Sequence, residues 1–310
     1  MSDVKLFKIA AGNAGELAPQ SAQVEKSLQA LFEANLPELL GVRFLATEYS
    51  TGAVHGGRID TLGIDEDGSP VIIEYKRSTN ENVINQGLFY LDWLMDHKRE
   101  FQWLVMDALG KDVADSVEWS APRLICIAGD FTRYDGHAVK QINRSIELLR
   151  YRRFSEDLLM IELVHSPRQA SKVAAIVDVA SAKPSKSKDP YLSQRIEYRL
   201  ANSPAPLRDL WEATSSFLTA LGDDVQTKEL KFYLAFKRIK NFACLEIYPS
   251  VKTVAAYVKI DPTSVILEPG FTRDVRQIGH FGTGDLEIVM RTTDDLIKAQ
   301  PLFQRAYDGS

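Results

Sequence analysis

Cysteine is scarce in this chain, and the two residues present, Cys126 and Cys244, stand far apart inside apolar runs. That spacing excludes a disulfide framework or a cysteine-rich zinc cluster and predicts two buried, reduced thiols. Long apolar runs are also missing: no stretch approaches the roughly 20 residues that a helix needs to cross a bilayer. Residues 1–10 lack the basic start and apolar centre of a secretory leader. The expectation is a soluble, cytoplasmic protein with no membrane partner. Basic charge is not in excess either. A net charge of −5 counts against an indiscriminate polyanion binder, whose affinity comes from neutralising phosphates, but leaves room for a local basic groove. The glycine-rich segment 279–285 lacks the Gly-Lys-Ser/Thr ending of a phosphate-binding loop and reads as a tight turn.

What is present suffices for two cores: 310 residues, 45% of them apolar. The polar, Pro- and Ser-containing tract around 181–190 reads as a linker. The expected organisation is a first domain over 1–170, a linker over 171–190 and a second domain over 191–310. The first reads as α/β, a mixed sheet flanked by helices; the second as α+β on an antiparallel sheet.

In the first domain an opening strand near 4–9 is broken over 12–19. Ser21 caps a helix whose Val24, Leu28, Leu31 and Phe32 share one face. A strand follows over 42–49, and Thr79 or Asn80 caps a helix carrying Val83, Ile84, Leu88, Leu91 and Leu94. Further strands are expected at 101–106, 123–128, 146–151 and 158–164, with a helix over 135–147. The second domain reads as helices near 191–200 and 207–221, strands at 230–236, 242–248, 253–260 and 286–290, and a closing helix over 294–307.

The chemically readable stretch lies between residues 54 and 90. Two apolar runs, 58–64 and 71–75, flank the acidic turn Asp65-Glu66-Asp67-Gly68-Ser69-Pro70, the signature of a hairpin. On its second arm Val71-Ile72-Ile73 is apolar throughout, as in a strand covered on both faces, and Glu74 and Lys76 then point to one side. Folding the hairpin back brings Asp60 towards Glu74. Two convergent carboxylates suit a hard cation such as Mg²⁺, which polarises a phosphodiester oxygen and lowers the pKa of a bound water. Lys76 then sits where negative charge develops. The plainer alternative is a solvated Glu–Lys ladder of little energetic weight.

Asp60 followed by Glu74-Tyr75-Lys76 resembles the D…(D/E)xK signature of the PD-(D/E)xK nuclease superfamily, and Gln86-Gly-Leu-Phe-Tyr90 resembles the QxxxY helix of its RecB-like and NucS-like members. The likeness runs from about residue 24 to about residue 164, and departs from the superfamily's name where Ile59 stands in place of proline. It implies a Mg²⁺- or Mn²⁺-dependent endonuclease with DNA as substrate and homodimers among its members. By the same likeness Asp60, Glu74 and the Tyr75 backbone carbonyl hold metal, Lys76 positions water, Glu25 supports the site from the first helix, and Gln86 and Tyr90 orient it or touch DNA. Glu25 read on its own is equally an edge residue with its head in water. Residues 191–310 resemble a domain of uncharacterised function found with predicted nucleases and restriction proteins, on Lys231-Phe-Tyr233, Lys237, Lys240-Asn-Phe242 and the 279–285 segment. Two rivals remain: a nuclease fold serving as a silent nucleic-acid sensor, and the same chemistry directed at RNA. The basic and aromatic mixture of Lys228, Lys231, Lys237, Arg238 and Lys240 with Phe232, Tyr233, Phe236 and Phe242 could stack bases, although alternate residues of a strand must face its core.

Overall fold

The computed structural model describes residues 4–20, 25–76, 83–155, 157–166 and 191–310. The expected caps Ser21, Thr79 and Asn80, and the expected linker 171–190, lie outside these residues. The chain divides into two compact units, residues 1–167 and 168–310.

The first unit runs β1 (Leu6–Ala10), β2 (Asn13–Leu17), β3 (Pro19–Gln20), α1 (Glu25–Ala34), α2 (Leu36–Leu40), β4 (Val42–Ser50), α3 (Gly52–His55), β5 (Arg58–Asp65), β6 (Pro70–Lys76), α4 (Val83–Asp96), α5 (Lys98–Leu109), α6 (Lys111–Asp115), β7 (Arg123–Ala128), α7 (Arg133–Lys140), β8 (Ser145–Phe154) and β9 (Leu158–His165). Seven strands form a mixed sheet in the order β3-β8-β7-β6-β5-β4, with β9 on β8. Strands β4, β5 and β6 meander antiparallel, whereas β6, β7 and β8 are parallel. The parallel strands β6 and β7 are buried along nearly their whole length, which is why their sequences are apolar without alternation. On one face, Leu91, Trp93 and Leu94 of α4 and Phe101 and Val105 of α5 join Ile72, Leu124, Cys126 and Leu148 in one core. On the other, the Phe32 ring of α1 meets the Tyr75 ring edge-on, centroids 5.8 Å apart. Cys126 is a free, buried thiol, and burial raises its pKa.

Three expectations fail here for physical reasons. Residues 101–106 are helical, not extended: Phe101 and Val105, four apart, take the buried face while Trp103 is exposed, a pattern that a short apolar run leaves open between period 2 and period 3.6. Residues 12–19 hold a second strand, since Ala11 and Gly12 turn the chain at positive φ and β2 pairs back on β1. Helix α7 stops at Lys140, so 145–147 belong to β8.

The second unit comprises α8 (Ile196–Ala201), α9 (Ala205–Thr219), β10 (Gln226–Glu229), β11 (Leu234–Lys237), β12 (Asn241–Tyr248), β13 (Thr253–Val258), β14 (Thr272–Asp274), β15 (Leu286–Met290) and α10 (Thr293–Asp308). Its six strands are antiparallel, in the order β10-β11-β12-β13-β15-β14. Helices α9 and α10 bury Trp211, Leu218 and Phe303 against Phe236, Phe242 and Leu245. The expected strand 230–236 is interrupted, because residues 230–233 form the bend between β10 and β11, closed by Leu230 N–H donating to the Tyr233 carbonyl at 2.9 Å. Cys244 is also buried and free of disulfide. Among the described residues no helix is long and apolar enough to cross a membrane.

Candidate active site

The hairpin β5–β6 is paired from Ile64–Pro70 to Thr61–Ile73. One step further, where Asp60 and Glu74 would be the next pair, side chains replace the ladder. Asp60 N–H donates to Glu74 Oε1 at 3.2 Å, and Tyr75 N–H donates to Asp60 Oδ2 at 3.0 Å. Beyond this point β5 remains paired with β4 through Ile59–Tyr49, and β6 with β7 through Lys76–Ala128. The sheet therefore forks, and the two carboxylates occupy the fork.

Their electrostatics follow from that position. Glu74 is fully buried; burial, then the nearby Asp60 carboxylate, push its pKa up to about 9 against the opposing pull of the Asp60 N–H and Lys76. Burial raises Asp60 as well, with the Tyr75 N–H and Lys76 acting against it. Glu74 Oε2 is buried and has no hydrogen-bond partner among the described residues. Lys76, on the strand face of Glu74, reaches Glu25 Oε1 at the start of α1 at 3.2 Å. Asp60, Glu74, Lys76 and Glu25 are thus brought together.

Gln86 and Tyr90 form a pair one helical turn apart on α4. Gln86 Nε2 donates to the Tyr90 hydroxyl at 3.2 Å, and that hydroxyl accepts the Arg58 N–H at 3.1 Å. Their link to the carboxylates runs through this start of β5. Gly57 is required beside them: a Cβ there would lie 2.5 Å from Tyr90 Cε1.

Sequence reasoning missed the support behind Asp60. Gln29 is buried on α1, and its Nε2 donates to the Asp60 carbonyl at 2.8 Å, with Thr47 Oγ1 and Glu33 Oε1 each at 3.0 Å. Glu33 in turn accepts from Thr61 Oγ1 at 2.6 Å. The signal was legible: Glu25, Gln29 and Glu33 recur every fourth residue, a polar stripe on a helix whose apolar stripe is Leu28 and Phe32. It also missed Arg123, buried between Glu147 (Nε to Oε1, 2.7 Å) and Asp65 (Nη1 to Oδ2, 3.3 Å). Asp65 Oδ1 meanwhile accepts the Asp67 and Ser69 N–H groups at 3.0 and 2.8 Å, closing the hairpin turn.

The basic side chains of both units resolve less favourably for nucleic-acid contact. Arg150 is buried in ion pairs with Asp130 at 2.6 Å and Glu162 at 2.9 Å. In the second unit Phe236 and Phe242 are core, Lys228 and Lys237 are buried, and Arg238 pairs with Asp224 at 2.6 Å. Lys231 remains over the Phe232 and Tyr191 rings. The 279–285 segment is a loop, with Gly282 and Gly284 at positive φ; a Cβ on Gly282 would meet Cys244 at 2.7 Å.

Residues 196–310 match a family described as a domain of unknown function, DUF5655. A protein of Haemophilus influenzae described as uncharacterized is 28% identical over 309 residues, covering 98% of this chain and 99% of its own. Similarity to solved structures is partial. An EndoMS–dsDNA complex aligns at 22% identity and a TM-score of 0.24 over 44% of this chain and 47% of the other. A repair endonuclease from Pyrococcus abyssi aligns at 19% identity and a TM-score of 0.24 over 43% and 50%. This chain therefore spans about half the length of these two structures. What it shares with the Haemophilus protein extends across both of its units.

Proposed function

We propose that the first unit is a Mg²⁺- or Mn²⁺-dependent endodeoxyribonuclease of the PD-(D/E)xK type. One observation carries the reading: at the fork of β5 and β6, Asp60 and Glu74 are held by each other's strand while Glu74 Oε2 is buried without a hydrogen-bond partner among the described residues. A buried carboxylate is neutralised by a proton or compensated by a cation, and a divalent ion at the fork would compensate both acids together.

The residues fit a hard divalent cation. Asp60 and Glu74 supply carboxylate oxygens and Tyr75 a backbone carbonyl, and an ion of the Mg²⁺ kind takes one or two carboxylates, completing its shell with water and phosphate. Among the described residues no cluster of three or more His, Cys, Asp or Glu side chains could hold a metal, so the proposed ion rests on these two carboxylates and one carbonyl. Such an ion supplies Lewis acidity at a phosphodiester oxygen and a bound water of lowered pKa.

The protein's own groups do the rest. Lys76 Nζ places a positive charge beside the phosphate as negative charge develops on it, and Glu25 holds that ammonium in position. The Tyr75 N–H fixes the Asp60 carboxyl, and Gln29 fixes the Asp60 carbonyl, so the acids cannot turn away from the reacting group. Gln86 and Tyr90 set the start of β5 and so the approach of Asp60.

The test is cleavage of circular, linear and single-stranded DNA and of RNA in Mg²⁺, Mn²⁺ or EDTA, with Asp60→Asn and Lys76→Met beside the unmodified chain. Metal-dependent cutting of DNA, lost in both variants, is expected. Cutting of RNA alone transfers the reading to a ribonuclease. Cutting that survives in EDTA, or in both variants, refutes the site.

A further inference from the structure

The segment between β4 and β5 is built to keep its shape. Thr51 closes its base three times: its N–H and its Oγ1 each donate to the Gly57 carbonyl at 3.0 Å, and its Oγ1 accepts the Gly57 N–H at 2.9 Å. Inside that closure Gly56 N–H donates to the Gly52 carbonyl at 2.9 Å, and Gly57 lies against the Tyr90 ring. At the outer end stands Val54, 96% exposed. Beside it the His55 ring lies 5.3 Å from that of Phe89, which is 46% exposed, and 5.8 Å from that of His97. Phe89 is in turn 5.9 Å from Tyr90. A series of rings thus leads from Tyr90, at the start of the Asp60 strand, to an apolar tip facing solvent. Stability gives no reason for an exposed valine on a closed loop, since its side chain buries almost nothing.

We propose that Val54, His55 and Phe89 form a stacking platform for one unpaired or unstacked base of the nucleic-acid strand whose phosphate lies at Asp60 and Glu74. The inference rests on the nuclease reading above and adds to it which surface grips the substrate. Every base has a π-face, so one or two rings suffice to hold it whatever the sequence. An apolar side chain beside the rings separates that base from its neighbour, as wedges do in bent duplexes. A second copy of this chain is the poorer occupant. A stable interface buries about 800 Å² on each partner, and two side chains of one loop beside one of α4 fall well short of that. The platform also explains the closed loop: a base held by a fixed tip sets the register of the phosphate relative to the carboxylates, which a pliant tip could not do.

The experiment uses the full chain carrying Asp60→Asn, so that binding is read without cutting, and single- and double-stranded DNA containing 2-aminopurine, in Mg²⁺. Phe89→Ala and His55→Ala are each expected to weaken binding roughly 5- to 150-fold. Val54→Ser is expected to reduce the fluorescence rise of the unstacked 2-aminopurine, while Ile266→Ser, at a 94% exposed position of the other unit, changes neither reading. Because Phe89 and His55 share ring contacts, Phe89→Leu serves as the variant that keeps apolar packing but lacks the ring, and it is expected to weaken binding as Phe89→Ala does. Metal-dependent cutting by the unmodified chain, with binding and fluorescence unchanged in all four loop and ring variants, overturns the platform and leaves the nuclease reading standing. Neither binding nor cutting of any nucleic acid by the unmodified chain overturns both. If sedimentation shows a dimer that Val54→Ser dissociates while DNA binding is unchanged, the tip belongs to a second copy and the platform is refuted.

Discussion

Replacing Arg123 by methionine tests whether a buried ion triad holds the β5–β6 hairpin in place. Arg123, Glu147 and Asp65 are all at or below 4% exposed. The guanidinium grips Glu147 through two parallel bonds, Nε to Oε1 at 2.7 Å and Nη2 to Oε2 at 2.9 Å, and reaches Asp65 at 3.3 Å. Methionine fills similar space and leaves two carboxylates buried without their cation. Removing one partner of a buried pair costs about 3–5 kcal/mol, equivalent to a roughly 140- to 3,700-fold rise in the open population at 1.4 kcal/mol per tenfold. Two units in one chain make a single unfolding free energy ill-defined, so the assay is native-state hydrogen exchange at the β5 and β6 amides. Adding Glu147→Met to Arg123→Met should restore part of the loss, because one stranded charge goes with it. A loss below about 1 kcal/mol, or a double variant as damaged as the sum of the singles, would refute the reasoning.

Other outcomes follow from separate contacts. Gly57→Ala should lower the melting temperature of the first unit by the equivalent of about 1–3 kcal/mol, since the new Cβ meets the Tyr90 ring; an unchanged melting curve would mean that the loop yields freely. Tyr90→Phe takes the acceptor from the Arg58 N–H and should cost about 1–3 kcal/mol, read as faster exchange of that one amide. Gln29→Leu should impair cleavage through kcat with substrate affinity kept, because Gln29 reaches the Asp60 backbone; a change confined to KM would contradict that role. In the second unit, burial raises the Glu246 carboxyl above its ordinary value, despite bonds from Tyr248 and Arg199. A raised folded-state pKa gives stability that is present below about 4.5 and lost as pH rises through the folded value. Wild type should therefore lose stability relative to Glu246→Gln on going from pH 4 to 8, by at most about 1.4 kcal/mol per pH unit; the opposite slope in paired melting curves would sink this account.

How much of this was legible in the sequence depended on whether the signal was local. The acidic turn 65–70 between two apolar arms announced the hairpin, and the step from Ile73 to Glu74 and Lys76 announced charge on a buried strand; both are properties of adjacent residues. Residues 101–106 misled because Phe101, Trp103 and Val105 satisfy an alternating pattern as readily as a helical one, and only the neighbouring α4 decides which face is covered. The triad was invisible for a different reason. Arg123, Glu147 and Asp65 lie on three strands, and each alone looks like a stray charge beside an apolar run. Strand 230–236 misled because its aromatic and aliphatic residues have the right composition for extension, while the bend at 230–233 is set by where β10 must turn to meet β11.

The fork has a consequence for the affinity of the proposed ion. Each carboxyl has one oxygen already engaged by a main-chain N–H, Asp60 through Tyr75 and Glu74 through Asp60. The side-chain rotations that an ion would otherwise have to freeze are frozen when the sheet forms, and the entropy of freezing them is lost then, not at binding. The site is in this sense a product of folding, and under the proposed metal reading loosening the hairpin should show first as weaker metal affinity, before any loss of structure is measurable.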